Sequence, residues 1–546
     1  MKRKAVAAVL TAVMVASMFT GCGSDNGSSS AKSASAASAA SAANDTVDED
    51  GKVNGIMYQE GLPLVDEGDY TFSIFCDDSS ESGEFIMLDE FKKQTNVDVD
   101  LKIYPYETAT ERLNLDLNSG DYADVIGGWT LSDNAILTYG VNQGVFIPLE
   151  DYFEKYCPNI SAILDLPGVR EKMTAPDGHI YTIPYVCTDT TVGYSPYINT
   201  KWLENVGMSM PTTTDEFEAV LKAFKEQDAN GNGDASDEIP FSTDPNNKHI
   251  EAMAGYFGLP MNKLGIAIQN EKVVYGGVSD TYREFLSWFH KLYAEGLVDV
   301  ELYTQDSSTW EGKGNQDLYG VSIAYGSGEF TGIPAAEERG DFDSMPVLNT
   351  DKDGIWLRDT EGFSVYRTQA VITNKAEHPE IICRWFDNAF ALENGIGCNR
   401  GPVGVSVNKE DDGYQAIDTT TLSEEDQEKY SWGNLWPQSL PKYLPVDFEF
   451  VEEHPMYDEK KATEEAYEAN LTKEIIPSYW IDLDKIDTFS DTNTAIKDFF
   501  EQQQAQFVCG ELDIDNDADW QAYVDGMYSL GLEDWVATQG IEEIAK

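Results

Sequence analysis

Positive charge is scarce in this chain. Its 37 lysines and arginines face 97 aspartates and glutamates, for a formal net charge of −60. A field of that sign opposes nucleic acid and anionic membrane surfaces, and it concentrates divalent cations. Histidine is scarcer still. The five, at 179, 249, 290, 378 and 454, are scattered and make no HExxH helix. GxSxG and Walker-type phosphate loops are also missing, so these hydrolase and nucleotide chemistries lack their residues. Beyond Cys22 the cysteines stand at 76, 157, 187, 383, 398 and 509 without one CxxC pair. Such wide spacing supports neither a zinc site nor a disulfide framework. No repeat of 20–50 residues is visible, which excludes solenoids and propellers.

What is present begins at the N-terminus. Lys2, Arg3 and Lys4 precede an uncharged apolar run, Ala5 to Phe19, that is too short for a stable spanning helix. This reads as an export signal over residues 1–21. Phe19-Thr20-Gly21-Cys22 then places a cysteine behind small residues, the pattern of a bacterial lipoprotein with a palmitate-bearing lipid anchor on Cys22. Residues 23–43 are almost all Gly, Ser and Ala, and 22–64 is read as a tether. Aromatic residues make up 12% of the chain, which excludes general disorder, and its length is enough for two substantial cores.

Past the tether, strand and helix patterns alternate. Tyr70 to Cys76 reads as a strand, Glu84 to Thr95 as a helix, and Val97, Val99, Leu101 and Ile103 as a period-two strand. A helix carrying Leu113, Leu115 and Leu117 and a strand at Ala123 to Ile126 follow, the latter running into Gly127-Gly128-Trp129. Helices are expected at Trp202 to Val206, Thr214 to Lys225, Tyr282 to Glu295 and from Pro379, with a strand at Leu318 to Tyr325. This rhythm predicts an α/β protein, whose ligands sit at the carboxyl ends of strands.

The densest motif is Asp228-Ala229-Asn230-Gly231-Asn232-Gly233-Asp234-Ala235-Ser236-Asp237-Glu238. Asp228, Asn230, Asn232 and Gly233 meet the first six positions of an EF-hand loop, in which oxygen ligands alternate with turn residues around a hard cation. Asp237 and Glu238 come before the usual glutamate at position 12. The ion implied is calcium in a structural role; the alternative is a metal-free Asn/Asp/Gly turn.

Several segments in order carry a family resemblance. They are Gly120-Asp121-Tyr122-Ala123-Asp124-Val125-Ile126, the run from Gly178 to Tyr185, Tyr197-Ile198-Asn199 before Trp202-Leu203, and the 228–241 loop. His378-Pro379-Glu380, Phe507-Val508-Cys509-Gly510 and Tyr528-Ser529-Leu530-Gly531-Leu532 complete the set. The chain resembles the family 1 extracellular solute-binding proteins of ABC importers, and more narrowly the long branch of alginate- and oligosaccharide-binding lipoproteins. The resemblance implies a two-lobe periplasmic-binding-protein-like (type II) fold with a ligand cleft between the lobes. Lobe one would hold residues 65–188 and 362–407, and lobe two residues 189–361 and 408–546. It also implies calcium on Asp228, Asn230, Asn232, Asp234 (through its carbonyl), Asp237 and Glu238. The ligand would be an oligosaccharide, and the partner a membrane permease. A monomer anchored outside the cell membrane, with no enzymatic activity and no nucleic-acid partner, is expected.

An aromatic platform with carboxylate or amide acceptors complements a sugar ring. Trp129 leads the candidates, since the matching place in maltodextrin-binding relatives faces the sugar. Tyr325 before Gly326-Ser327-Gly328 comes next, with Trp432 and Trp436. Tyr185, Trp310 and Glu361 complete the set. Arg358, Arg367 and Arg400 are candidates for a uronate carboxylate, against the alternative that they pair with surplus acids. The competing functions are a secreted glycoside hydrolase, which needs two carboxylates flanking a bond, and a peptide- or other solute-binding protein.

Overall fold

A computed structural model describes residues 45–78, 84–244, 250–332, 340–411, 413–417, 421–445, 448 and 455–545. The signal segment, Cys22 and the Ser/Ala/Gly stretch lie outside the described residues. Two main sheets are built from β1 (Tyr70–Asp77), β2 (Val97–Tyr104), β3 (Val125–Gly127), β4 (Thr182–Thr188), β5 (Ser195–Asn199), β6 (Ile239–Thr243), β7 (Tyr319–Ala324), β8 (Phe342–Ser344) and β9 (Phe363–Ile372).

The first sheet runs β2-β1-β3-β9-β4. β1 is parallel to β2 and β3, while β9 runs antiparallel to β3 and β4. β3 and β4 therefore point the same way, so the carboxyl ends of β1, β3 and β4 share one edge. Alternation along β1 sends Phe72, Ile74 and Cys76 into one core and Phe75 into another; this is the period-two pattern of a sheet covered on both faces. Helix Pro379–Ala389 supplies one cover. Its Ile382, Trp385, Phe386 and Ala389 are fully buried, and Trp385 packs edge-on to Phe72 at 5.3 Å.

The second sheet runs β8-β5-β7-β6, with β7 parallel to β6 and antiparallel to β5. Its core joins helices Thr214–Glu226, Asp280–Ala294 and the 24-residue Ile486–Cys509. Glu543–Ile544 adds a parallel strand beside Lys272–Tyr275, tying the end of the chain to this core. Thr213 starts helix Thr214–Glu226: its side chain accepts the Glu216 N–H at 3.2 Å, and the Glu216 carboxylate accepts the Thr212 N–H at 2.9 Å. Thr213→Ala is expected to cost about 1 kcal/mol, seen as a lower urea midpoint with unchanged slope.

Two segments depart from expectation. Within the expected tether, Lys52–Val53 pairs with Met57–Tyr58, and Val53, Met57 and Leu64 are buried in the first sheet's core. Apolar side chains here interrupt the Ser/Ala/Gly composition and find a core to enter. Likewise Trp436 and Leu440, from the stretch expected in lobe two, pack in that same first core. The six cysteines from Cys76 to Cys509 are free thiols, and Cys76, Cys157, Cys383 and Cys398 are buried.

Candidate functional site

The shared carboxyl edge of β1, β3 and β4 is where side chains of different elements converge. β3 ends in Gly127, Gly128 turns with φ +132°, and Trp129 emerges 46% exposed. The buried Asp77 carboxylate at the end of β1 accepts the N–H of Trp129 at 3.0 Å and of Thr130 at 2.7 Å. Trp129 meets Tyr366 of β9 edge-on at 5.2 Å, and Tyr366 stacks on Tyr185 of β4 at 5.4 Å. Register explains the stack, because Tyr185 and Tyr366 are direct cross-strand partners.

Immediately after β4, Asp189 gathers hydroxyls from both sheets. Its Oδ2 accepts from Ser364 at 2.5 Å and from Tyr366 at 3.2 Å, while Oδ1 accepts from Tyr325 at 3.3 Å. Tyr325 stands at the end of β7, so Asp189 bridges the first sheet to the second. The Lys460 ammonium lies 4.0 Å from the centroid of the Tyr325 ring and donates to the carbonyls of Gly193 and Tyr325. Around it are Glu329, whose carboxylate accepts the Tyr325 N–H at 2.9 Å, and Asp359, which accepts the Gly193 N–H at 2.7 Å.

Glu329 and Asp359 are open to solvent at their surfaces. Even so, desolvation raises Glu329 to about 7 and Asp359 to about 6, and burial lowers Lys460 to about 8. Both carboxylates and the Lys460 ammonium stand where the Asp189–Tyr325 contact joins the two sheets. Beside them a cavity of about 330 Å³ is lined by Asp133, Arg358, Asp359 and Tyr479, among others. A second, of about 300 Å³, shares Asp133 and Ser478 and reaches Tyr366 and Arg367.

Glu329 also sets a pH dependence. Below its ordinary value of 4.5 the carboxyl is protonated in both folded and unfolded chains. Between 4.5 and about 7 only the folded chain holds the proton, so this contribution to stability falls as pH rises through that window. Glu329→Gln is expected to flatten the fall in Tm across it, measured by thermal melts at successive pH values. Unchanged pH curves would remove Glu329 from this role.

The other expected site residues separate clearly. Trp432 is 51% exposed, and Glu361 is exposed two residues from Asp359. Trp436 and Trp310 are corrections. Trp436 is fully buried, stacked on Trp385 at 5.7 Å, and the 3%-exposed Trp310 donates its ring N–H to Ser322 at 3.1 Å. Both rings fill cores, where large aromatics bury the most surface, and neither can meet a ligand. Arg367 forks onto Asp133 and stacks on Trp480 at 4.2 Å, and Arg358 donates to the Thr472 carbonyl at 3.2 Å. Arg400 donates to the Asn399 carbonyl at 3.0 Å. Sequence reading missed Tyr366, Asp189, Asp359, Glu329 and Lys460. Only Tyr366, four residues past Gly362 in an apolar strand, carried a local signal.

The 228–238 loop joins helix Thr214–Glu226 to β6. Gly231 and Gly233 take positive φ (75° and 94°) as the turns demand. Asp228 Oδ2 accepts the Gly233 N–H at 3.0 Å, and Glu238 Oε1 accepts the Ala229 N–H at 2.8 Å. The second oxygen of each, Asp228 Oδ1 and Glu238 Oε2, is buried with no hydrogen-bond partner. Two orphaned buried carboxylate oxygens in one loop are costly unless a cation receives them. The amides of Asn230 and Asn232 donate to Asp237 at 3.1 and 2.7 Å; turned over, they would present oxygens. The Asp234 side chain is occupied by Ser236. No cluster of three or more His, Cys, Asp or Glu at metal-ligand spacing occurs among the described residues. A cation held here would therefore draw on amide oxygens as well, and this donor set suits a hard cation.

Comparison with known proteins places this geometry in context. The sequence model of the bacterial extracellular solute-binding proteins matches residues 78–395. The fructooligosaccharide ABC transporter substrate-binding protein FusA of Streptococcus pneumoniae is 28% identical over 97% of this chain and 96% of its own. The structure of FusA in complex with kestose has a TM-score of 0.75 at 26% identity, covering 86% of this chain and 98% of FusA. That of a FusA EF-hand mutant in complex with fructo-nystose has a TM-score of 0.73 at 27% identity over the same shares.

Proposed function

The chain belongs to the bacterial extracellular solute-binding proteins, and from that premise we propose that it captures a neutral oligosaccharide of the fructooligosaccharide class. It is a binding protein and not an enzyme. The observation that carries the ligand class is the exposed Trp129 ring braced by Tyr366 and Tyr185, next to the Asp189–Tyr325 bridge. The indole face takes the C–H face of a sugar ring, and carboxylates such as Asp359 accept its hydroxyls. Acidic sugars are disfavoured, because the cleft is lined by carboxylates and Arg367 is already held by Asp133. The relationship to FusA supports the class and the delivery of ligand to an ABC permease.

In this reading lobe one is 65–188 with 362–407 and lobe two is 189–361 with 408–546, apart from the Trp436 segment, which packs on the first sheet as Val53, Met57 and Leu64 do. The lobes close on ligand because ring and hydroxyl contacts from both are made together only in the closed form. Calcium held by Asp228, Asn230, Asn232, Asp234, Asp237 and Glu238 braces lobe two away from the sugar; the EF-hand of FusA and the two orphaned oxygens support this. A lipid on Cys22 holds the monomer at the outer face of the cell membrane. Titration calorimetry against neutral fructooligosaccharides and uronate oligomers tests the ligand. Tight binding of the neutral series, recovered intact, is the expected result, and binding of uronates alone would sink the assignment.

A further inference from the structure

The chain passes from the first sheet to the second on residues 189–194, which join β4 to β5. Residues 190–193 belong to no strand, so their backbone polar groups need partners other than a ladder. Side chains supply nearly all of them. Asp189 accepts the Thr190 N–H at 2.8 Å, Thr360 donates its hydroxyl to the Thr190 carbonyl at 3.1 Å, and the Thr190 hydroxyl donates to the Val192 carbonyl at 2.6 Å. Asp359, on the neighbouring crossing that leads into β9, accepts the Gly193 N–H and donates its own N–H to the Thr191 carbonyl at 3.0 Å. A Cβ at Gly193 would lie 2.8 Å from that carboxylate, so a glycine is what allows the approach.

The remaining grip comes from helix Pro455–Tyr467. One oxygen of Glu464, Oε1, accepts both the Thr191 N–H at 2.6 Å and the Thr191 hydroxyl at 3.1 Å. Lys460, one turn earlier on the same face, donates to the Gly193 carbonyl at 2.7 Å. The helix is itself fixed to the second sheet. Tyr467 is buried in the second core and donates its hydroxyl to the Met345 carbonyl at 2.7 Å, while Glu459 accepts the Ser327 N–H and hydroxyl, each at 2.8 Å. An acceptor and a cation therefore hold residues 191 and 193 from one rigid support. Their hold extends to the candidate site, because Asp189 at the start of the stretch bonds Ser364, Tyr366 and Tyr325.

We propose that Glu464 and Lys460 are positioning residues that make 190–193 a stiff joint between the sheets and so keep Asp189, Tyr366 and Tyr325 arranged for ligand. The inference rests on the two-lobe binding-protein reading above and adds to it the residues that limit how far the unliganded lobes move. Neither side chain has to touch the sugar. With the joint stiff, Asp189 and its two tyrosines are ordered before ligand arrives; with it loose, binding must also order them.

The test is pulsed electron resonance between spin labels on Cys509, the exposed native thiol, and on Glu154→Cys, with the parent lacking the introduced thiol as control. Cys509 ends a helix of the second core, and Glu154 lies on a helix packed in the first. Without ligand, Glu464→Ala is expected to widen the distance distribution about twofold. Glu464→Gln should keep the original width, because its amide oxygen still accepts from Thr191. In calorimetry with a neutral fructooligosaccharide, Glu464→Ala is expected to bind about tenfold more weakly and Glu464→Gln within about twofold of wild type. Tm should hardly move, since Glu464 is only half-buried and water can take the Thr191 N–H. An unchanged width in Glu464→Ala, equal losses in both variants, or a loss of binding that merely follows a large fall in Tm would overturn the joint. A wild type that binds no fructooligosaccharide would overturn the ligand class alone, and the ligand-free widths would then decide the joint by themselves.

Discussion

Trp129→Ala is expected to weaken oligosaccharide binding by roughly 30- to 150-fold, corresponding to about 2–3 kcal/mol. The indole stands 46% exposed beside β3 and β9, and Tyr366 and Asp77 fix its pose at no further cost when ligand arrives. Removing it deletes both the buried area and the stacking term. Stability should hardly change, because the ring is nearly half exposed and its backbone clamp does not involve the side chain. Calorimetry with a neutral fructooligosaccharide and a melt of the same sample check both halves. Full affinity in the variant would move the ligand away from this edge of the sheet; a large fall in Tm would make Trp129 a packing residue.

Calcium should act on stability and leave the sugar site alone. With free calcium about 100-fold above its Kd, linkage adds about 2.7 kcal/mol, equivalent to a rise in Tm of roughly 2–4 °C for a unit of this size. EGTA is expected to reverse the rise. Asp228→Ala is expected to abolish it, since this substitution removes one orphaned oxygen together with the acceptor of the Gly233 N–H. Oligosaccharide affinity at low temperature should stay within about twofold, because the loop lies between a helix of the second core and β6. Loss of sugar binding at unchanged Tm would contradict that division of labour. Melts unaffected by either EGTA or calcium would make the loop a metal-free turn.

The parts of the fold legible in the chain were those set by local period. The strand at Tyr70, the helix from Pro379 and the strand before Tyr325 lie where hydrophobic spacing predicts them. Two-faced burial, turn glycines and helix-starting residues leave periodic traces that neighbouring residues alone record. Trp129 could be found for the same reason, since a strand end followed by two glycines announces an exposed turn. Trp310 and Trp436 could not be sorted from Trp432, because a tryptophan in a loop carries no mark of whether a distant strand covers it. Trp436 is covered by Trp385 and Phe91, both far from it in sequence.

Alone, the sequence determined the acidic field, the α/β alternation, the EF-hand-like loop and the family. Each depends on composition or on residues close together in the chain. Tertiary structure alone decided which groups share the cleft. Asp189, Tyr325, Tyr366 and Lys460 meet because the ends of β4 and β7 come together with the first half of β9 and helix Pro455–Tyr467. It also decided the raised carboxyls of Glu329 and Asp359, for desolvation is a property of the walls around a group and not of the residues beside it.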